Sequence, residues 1–170
     1  MQYITENSFI HIRIASLADS TCMWNWRNDA TTRFYSFNSQ FISWQTHSQW
    51  YAKALRDPDR IIYVGLSDTG GKIGMCRFDL APDHRVAEIS INLNPAFRGR
   101  RLSSPMVAAS IRQFRTVSNA ALIATIKNDN LASLRCFARS GFELETTGAD
   151  FSTFRLGQPG NKDRKSTRLN

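Results

Sequence analysis

Residues 94–105 read NPAFRGRRLSSP and join a predicted strand to a predicted helix. Arg98, Arg100 and Arg101 stand just before the helix start, where cations are unfavourable unless an anion is bound beside them. A strand that enters a tight turn and then a helix directs several backbone amides to one point, which is a phosphate-binding geometry. Gly99 allows the backbone to approach such a ligand closely. The stretch therefore predicts an anion site suited to a pyrophosphate, with a solvated basic loop as the alternative.

The composition predicts one globular domain and argues against several other classes of protein. The chain has 170 residues, of which 42% are hydrophobic and 21% charged, and we expect residues 1–156 to form a single domain. Residues 157–170 are predicted to be a disordered basic tail, because they are rich in glycine, polar residues and cations. No stretch approaches the roughly 18 apolar residues of a membrane span, so we expect a cytoplasmic protein with no membrane partner. Three cysteines without a CxxC spacing indicate neither a disulfide framework nor a metal site.

Hydrophobic periodicity predicts the order of helices and strands. Helices are predicted over residues 17–27, over residues 43–55 with Ser43 as N-cap, after Ser104 as N-cap with Pro105 at the first position, and over LASLRCFARSG. The Gly70-Gly71 pair predicts a hairpin turn. Strands are predicted in FIHIRIA, IIYVGLSD, KIGMCRFDL, VAEISINL, ALIATIK, FELE and DFSTFRL. Helices near the start are thus followed by an antiparallel meander and then by alternating strands and helices.

A second stretch, IKNDNLASLRCFARSGFE at residues 126–143, carries a resemblance to a known family. Its Asn130, Ser133 and Phe137, followed by Gly141-Phe142, resemble the second acyl-CoA-binding motif of the GNAT superfamily of N-acetyltransferases. The turn at residues 98–103 resembles the family's first motif, Gln/Arg-x-x-Gly-x-Gly/Ala, with Arg98 in the first place. It departs from that motif at Arg101, which stands where glycine is usual and lacks the freedom of glycine to adopt positive φ.

The resemblance implies a fold and a cosubstrate. The implied fold is an α/β (α+β) GNAT fold, with a mixed, mostly antiparallel twisted sheet of six to seven strands and about four helices. The implied cosubstrate is acetyl-CoA, whose pyrophosphate is held by the backbone amides of the first motif. Family members often carry tyrosine, a proton donor for the departing thiolate, where this chain has Phe137. The cofactor-binding residues implied are Ile91, Asn92, Leu93, Arg98, Gly99, Arg100, Arg101, Leu102, Ser103, Asn130, Ser133 and Phe137.

Glu88 is the predicted catalytic base. In the family an amine attacks the thioester directly, so the site needs a proton acceptor and donors to the carbonyl oxygen. Glu88 lies on the same predicted strand as Ile91 and Leu93, and we expect it to act through water. An ordinary strand carboxylate, exposed or paired with Arg77, is the alternative. His47 is an alternative base, with a structural role beside tryptophans as its simpler interpretation.

The acceptor is predicted from the first third of the chain, where aromatic residues alternate with polar ones. This region resembles the N-terminal part of acetyltransferases that modify nucleotide-linked amino sugars in pseudaminic acid pathways. We therefore predict a small-molecule primary amine, preferably that of an amino-sugar nucleotide, as acceptor, and a monomer or homodimer. Two alternatives stay open, a protein or peptide N-acetyltransferase and a nonenzymatic nucleic-acid-binding module that uses the net charge of +8. The acceptor-side candidates are Arg27, Asn28, Asn38 and His47.

Overall fold

A computed structural model describes residues 10–160, and most of the tail predicted to be disordered lies outside them. Two short 3-10 turns, Leu17–Asp19 and Pro95–Phe97, accompany the regular elements. The helices are α1 Ser20–Asn28, α2 Ala30–Tyr35, α3 Trp44–Ala54, α4 Ser103–Phe114 and α5 Leu131–Arg139. The strands are β1 His11–Ile14, β2 Arg60–Leu66, β3 Lys72–Leu80, β4 Val86–Leu93, β5 Ala121–Lys127, β6 Glu143–Thr147 and β7 Phe151–Leu156.

The seven strands form one sheet in the order β1-β2-β3-β4-β5-β7-β6. All neighbouring pairs are antiparallel except β4 and β5, which run parallel. The β4–β5 ladder is short, since it pairs only Val86, Ala87 and Glu88 with residues of β5. The sheet is therefore interrupted near its centre, where the C-terminal halves of these two strands separate.

Each face of the sheet has its own hydrophobic core. On one face, Phe78, Ala87 and Ile89 of the sheet pack with Met106 and other apolar side chains of α4 and α5. On the other face, Ile62 and Val64 pack with Met23, Trp26 and Tyr51 of α1 and α3. No helix in residues 10–160 is long and apolar enough to cross a membrane. The expected fold class, a mixed and mostly antiparallel sheet flanked by helices, is confirmed.

The helix boundaries correct the sequence prediction in two places. A fifth helix, α2, follows α1 after a break at Asp29, whose Oδ2 accepts a hydrogen bond from the amide of Thr32 and caps the new helix. Helix α4 begins at Ser103 with Leu102 in the cap position, so Ser104 is not the N-cap and Pro105 is the third helical residue. Proline is tolerated there because the first-turn amides have no partner within the helix. Ser43 is confirmed as the N-cap of α3, since its hydroxyl accepts from the amide of Thr46 at 3.1 Å.

A buried carboxylate fixes the start of α1 to the sheet. Asp19 has no exposed surface, and it accepts two hydrogen bonds from Arg13 at 2.7 and 2.8 Å. Lys72 Nζ lies 2.7 Å from Asp19 Oδ1, and the amide of Ser16 donates to Oδ2 at 2.9 Å. The hydrogen bonds from Arg13, and then those from Lys72 and Ser16, outweigh burial and hold the pKa of Asp19 well below its usual value. This carboxylate joins β1, β3 and α1.

Asp19→Asn is expected to lower the free energy of unfolding by about 2 kcal/mol, because it leaves two partly solvated cations without their counter-charge. In the wild type this stabilisation is present above the unfolded-state pKa of about 3.9 and is lost as the pH falls toward the lower folded-state pKa. Urea unfolding of the wild type and of Asp19→Asn, repeated at several pH values between 7 and 3, measures the difference in their free energies of unfolding. The control is Glu145→Gln, which removes an exposed ion pair with Arg155 and should cost less than about 0.5 kcal/mol. Equal effects of the two substitutions would contradict the assignment.

Candidate active site

The gap between β4 and β5 leaves backbone amides of β4 without strand partners. The amide of Asn94 donates to Ile73 of β3, and the carbonyl of Val86 accepts from Ala81, so even-numbered residues of β4 direct their backbone groups to β3. The carbonyl of Arg85 accepts from Ala121 of β5, so odd-numbered residues face β5. Pairing with β5 ends at Glu88. The amides of Ile91 and Leu93 therefore point into the gap and are available to a ligand.

A cavity of about 700 Å³ opens on this gap. Its floor is β4 and the end of β5, and its walls come from α1, the α2–α3 region and the start of α5. Side chains alternate along β4, so Glu88, Ser90 and Asn92 point to the α1 and α3 side, whereas Ile89 and Ile91 face the core beneath α4. The two faces of one strand thus separate a polar surface from an apolar one.

The turn before α4 offers a row of backbone donors. The amides of Gly99, Arg100, Arg101 and Leu102 have no hydrogen-bond partner within residues 10–160, and the first helical hydrogen bond is donated by Met106 to Leu102. Gly99 has φ of 75° and Arg101 has φ of 60°, both in the left-handed region. Arg101 therefore adopts the conformation for which glycine is usual, at a cost that glycine does not incur. The arrangement fits a bound pyrophosphate.

Arg98 lies at this turn, but its guanidinium is turned to other protein groups. Nη1 donates to Asp29 Oδ2 at 2.7 Å and Nη2 donates to Thr32 Oγ1 at 2.8 Å. Burial raises the pKa of Asp29, but the hydrogen bonds from Arg98 and the amide of Thr32 outweigh it, and the net pKa is lowered. The predicted anion site is thus left to the turn amides and to the exposed side chains of Arg100 and Arg101.

Glu88 lies in the cavity with a free carboxylate. It accepts no hydrogen bond and forms no ion pair among the residues that the structure describes. Arg77, its alternative partner in the sequence analysis, instead donates from Nε to Asp79 at 2.7 Å. Glu88 can therefore accept a proton from a water or an amine bound in the cavity.

His47 also lines the cavity, but it is only 4% exposed and is built into the protein. Its Nε2 lies 2.9 Å from the carbonyl oxygen of Ser20, so Nε2 carries the proton and Nδ1 holds the lone pair. The ring is stacked on Tyr51, with centroids 5.5 Å apart. Burial lowers the pKa of His47 although the Ser20 contact opposes it. His47 is thus neutral at pH 7.

The structure brings two of the other acceptor-side candidates together and leaves one out. Arg27 and Asn38 both line the cavity, and Arg27 Nη2 donates to the Asn38 carbonyl. Asn28 does not line it, because its Nδ2 donates to the carbonyl of Ile42 and its Oδ1 accepts from the amide of Ile42, both at 2.9 Å. The side chain of Asn28 thus holds the α2–α3 loop in place.

The start of α5 contributes the second predicted motif. Asn130, Ser133 and Phe137 all line the cavity, and Phe137 is 2% exposed. Asn130 Oδ1 accepts from the amide of Ser133 at 3.2 Å, so the spacing of these two residues is that of an N-cap and its partner. Asn130 Nδ2 remains for a ligand. The motif spacing therefore has a structural cause as well as a functional interpretation.

A sequence model described as an acetyltransferase (GNAT) domain matches residues 10–143, which is most of the chain. The chain belongs to the GNAT acetyltransferase family. Acetyl-CoA is accordingly the cosubstrate, as predicted, and the nonenzymatic nucleic-acid module left open by the basic charge is set aside. Comparison with curated protein sequences gives no significant match.

Several solved structures share the fold at low sequence identity. The spermidine N-acetyltransferase of Vibrio cholerae, in complex with CoA and spermine, is 18% identical, with a TM-score of 0.76 over 86% of this chain and 92% of that chain. An aminoglycoside acetyltransferase in complex with coenzyme A is 16% identical, with a TM-score of 0.73 over 89% and 95% of the two chains. A domain from Methanocaldococcus jannaschii is 17% identical, with a TM-score of 0.76 over 88% and 99%.

Several residues around this cavity were missed by sequence reasoning. Thr32 and Tyr35 of α2 and Ser90 of β4 line it, as does Lys127 at the end of β5, whose Nζ donates to the carbonyl of Phe34 at 2.7 Å. The one available signal was the Asp29-x-x-Thr32 spacing, which is typical of a helix N-cap. It indicates a helix start but gives no hint of a cavity.

Arg101→Gly is expected to raise the free energy of unfolding by about 1 kcal/mol, because glycine adopts positive φ without a steric penalty. Chemical unfolding measures the change. Arg100→Gly is the matched control, since it removes the same charge from the neighbouring position, which is not among the positive-φ residues. If Arg101→Gly is no more stable than Arg100→Gly, the backbone at residue 101 is not strained.

Proposed function

We propose that the chain transfers the acetyl group of acetyl-CoA to a primary amine of a nucleotide-linked amino sugar, with Glu88 as the base. The observation that supports this most is that β4 and the turn after it carry both unpaired backbone donors and a free carboxylate. The amides of Ile91 and Leu93 have no strand partner and lie on the same strand as Glu88. The four amides at residues 99–102, in the turn that follows this strand, have no partner within residues 10–160. Acetyl-CoA, when bound, supplies the thioester carbonyl that the amine attacks.

Each of these protein groups has a chemical task. The turn amides, with Arg100 and Arg101, bind the pyrophosphate. The amides of Ile91 and Leu93 donate to oxygens in the gap, and a donor fixed on a strand stabilises negative charge on a carbonyl oxygen without reorganisation. Glu88 Oε accepts the proton from the acceptor's ammonium, directly or through one water. These assignments explain why the base and the donors lie on one strand.

The charge of the cavity favours an anionic acceptor. Its charged lining side chains are Glu88 and three cations, Arg27, Arg77 and Lys127. Arg77 is paired with Asp79, which also binds Arg60, whereas Arg27 and Lys127 form no ion pair in the described part of the chain. Burial, and then the neighbouring Arg33, lower the pKa of Arg27, and its Nη1 is buried without a hydrogen-bond partner. A phosphate beside Arg27 would relieve this unpaired charge, whereas a polyamine would add to it.

Aromatic side chains near the cavity suit a nucleobase. Trp50 lines the cavity and is 37% exposed, and the guanidinium carbons of Arg60 and Arg77 lie 5.7 and 5.8 Å from its ring centre. Phe37, 65% exposed, also lines the cavity. Planar rings with exposed surface offer stacking partners to a base, at about 1–3 kcal/mol for each stacked base. Nucleotide sugars combine this ring with a diphosphate, which is why we prefer them as acceptors.

The departing thiolate has no phenol at position 137. Phe137 donates no proton, and a thiol of pKa about 8.5 leaves as the thiolate at neutral pH with a penalty of about 2 kcal/mol. The cavity is open to water, which can later protonate the sulfur. We therefore propose transfer without a dedicated acid on α5. A cytoplasmic location, expected from the sequence, stays a prediction.

Release of CoA thiol, measured with a panel of acceptors, tests the acceptor class. UDP-linked amino sugars should be acetylated faster than spermidine, kanamycin or an N-terminal peptide, because the cavity carries excess positive charge. Arg27→Gln should raise KM for the nucleotide sugar about tenfold and leave KM for acetyl-CoA within twofold. The charge-matched control is Arg112→Gln, on the exposed face of α4. A preference for spermidine or for peptide would overturn the proposed acceptor.

Glu88→Gln should lower kcat about 100-fold or more at pH 7, because a positioned base contributes about that factor, while acetyl-CoA binding stays unchanged. His47→Gln is the comparison, since His47 is the alternative base. Thiol release across pH 6 to 9 gives both rate profiles. If Glu88→Gln keeps its activity at every pH, Glu88 is not the base. If His47→Gln then loses the activity, the base is His47.

A further inference from the structure

We propose that Asp29, Arg98 and Thr32 are positioning residues that aim the side-chain amide of Asn92 at the pantetheine arm of CoA. The chain of contacts runs from the pyrophosphate turn, across the start of α2, to the gap between β4 and β5. This inference rests on the proposed function only in that CoA binds at the turn and in the gap. It does not depend on the acceptor.

Arg98 is the first link, and its hydrogen bonds leave it little freedom. Its two terminal nitrogens are held by Asp29 at 2.7 Å and Thr32 at 2.8 Å, and Asp29 at the same time caps α2 through the amide of Thr32. The side chains of Arg98 and Asp29 are 30% and 24% exposed, so the ion pair is partly shielded from solvent. Because an arginine fork binds two acceptors in a fixed geometry, the turn and the start of α2 move as one unit.

The second link is the hydroxyl of Thr32, which Arg98 orients. Arginine has no acceptor atom, so Thr32 Oγ1 accepts the hydrogen bond from Nη2. Its own hydrogen is then donated to Asn92 Oδ1 at 3.2 Å. Asn92 therefore presents its oxygen to Thr32 and its Nδ2 group away from it. Asn92 lines the cavity, and its Nδ2 donates to no protein acceptor within residues 10–160.

The position of Asn92 identifies the ligand group. Asn92 lies four residues beyond Glu88, about 13 Å along the strand toward the turn, and between the two residues whose amides face the gap. A ligand that runs from the turn to Glu88 must pass Asn92 before its reacting end. In CoA the segment between the pyrophosphate and the thiol is the pantetheine arm, whose amide carbonyls accept hydrogen bonds. An amide NH₂ donor at this place binds one of those carbonyls.

The test is a double-mutant cycle for CoA binding, measured by calorimetry with CoA itself. Thr32→Val keeps the shape of the side chain but neither accepts from Arg98 nor donates to Asn92, and Asn92→Leu removes the donor. Each should raise the Kd for CoA about five- to tenfold, and the double variant should bind no more weakly than Asn92→Leu alone. Thr32→Ser keeps the hydroxyl and should bind within twofold of the wild type.

Arg98→Lys gives a second measurement that does not involve Thr32 directly. A lysine ammonium does not reproduce the fork to Asp29 and Thr32, so Kd for CoA and KM for acetyl-CoA should rise several-fold while kcat changes by less than twofold. A merely structural loss would instead lower kcat and the unfolding midpoint together. The proposal is overturned if the increases in Kd of the two single variants multiply in the double variant. It is also overturned if Thr32→Val binds CoA with the Kd of the wild type. Wild-type protein that binds no CoA would overturn it together with the proposed function, whereas failure of every tested acceptor would leave the cycle valid.

Discussion

The separation of β4 from β5 is the constraint on which the rest of the structure depends. Backbone amides inside a protein must find partners, and a parallel neighbour would normally supply them along the whole strand. Here the ladder ends at Glu88, and the remaining half of β4 faces a cavity. The protein can keep such an edge only because water or a ligand satisfies it. The unfinished sheet is therefore also the candidate binding surface, and the core beneath α4 and α5 packs against strands on both sides of the gap.

The arginines of the turn illustrate how one motif divides its charge between two tasks. Arg98 is neutralised by Asp29 and holds the turn to α2, whereas Arg100 and Arg101 stay exposed around the free amides. Three cations beside a helix N-terminus are electrostatically unfavourable, and pairing with Asp29 leaves only two of them without a counter-charge. Arg101 adds a backbone penalty of its own through its positive φ. Arg101 adds positive charge at the predicted anion site, whereas the glycine that is usual at this position would add only backbone freedom.

Local patterns predicted much of the fold, because the forces that form its elements act within a few residues. Strand alternation in VAEISINL and the Ser43 cap of α3 are examples, and both agree with the structure. The N-cap of α4 was placed wrongly at Ser104, with Pro105 as the first helical residue, because the cap residue Leu102 forms no side-chain cap hydrogen bond and so leaves no sequence signal. Helix α2 was missed since six residues carry too weak a periodicity. The candidate site depended more on resemblance than on pattern. Its α5 residues line the cavity, whereas none of residues 98–103 is among the lining residues.

Pairings between distant segments could not be predicted from the sequence. Nothing near Arg98 in the chain indicates that Asp29 neutralises it, and nothing near Asn28 indicates that Ile42 occupies its amide. One such pairing also limits how the acceptor enters. Phe37, at the cavity wall, is stacked on Phe151 of β7 with centroids 4.6 Å apart. The loop that carries Phe37 thus contacts the part of the sheet that lies beyond β5. A bulky acceptor that displaced this loop would have to separate the two rings, so the stack sets a limit on how far this wall of the cavity can open.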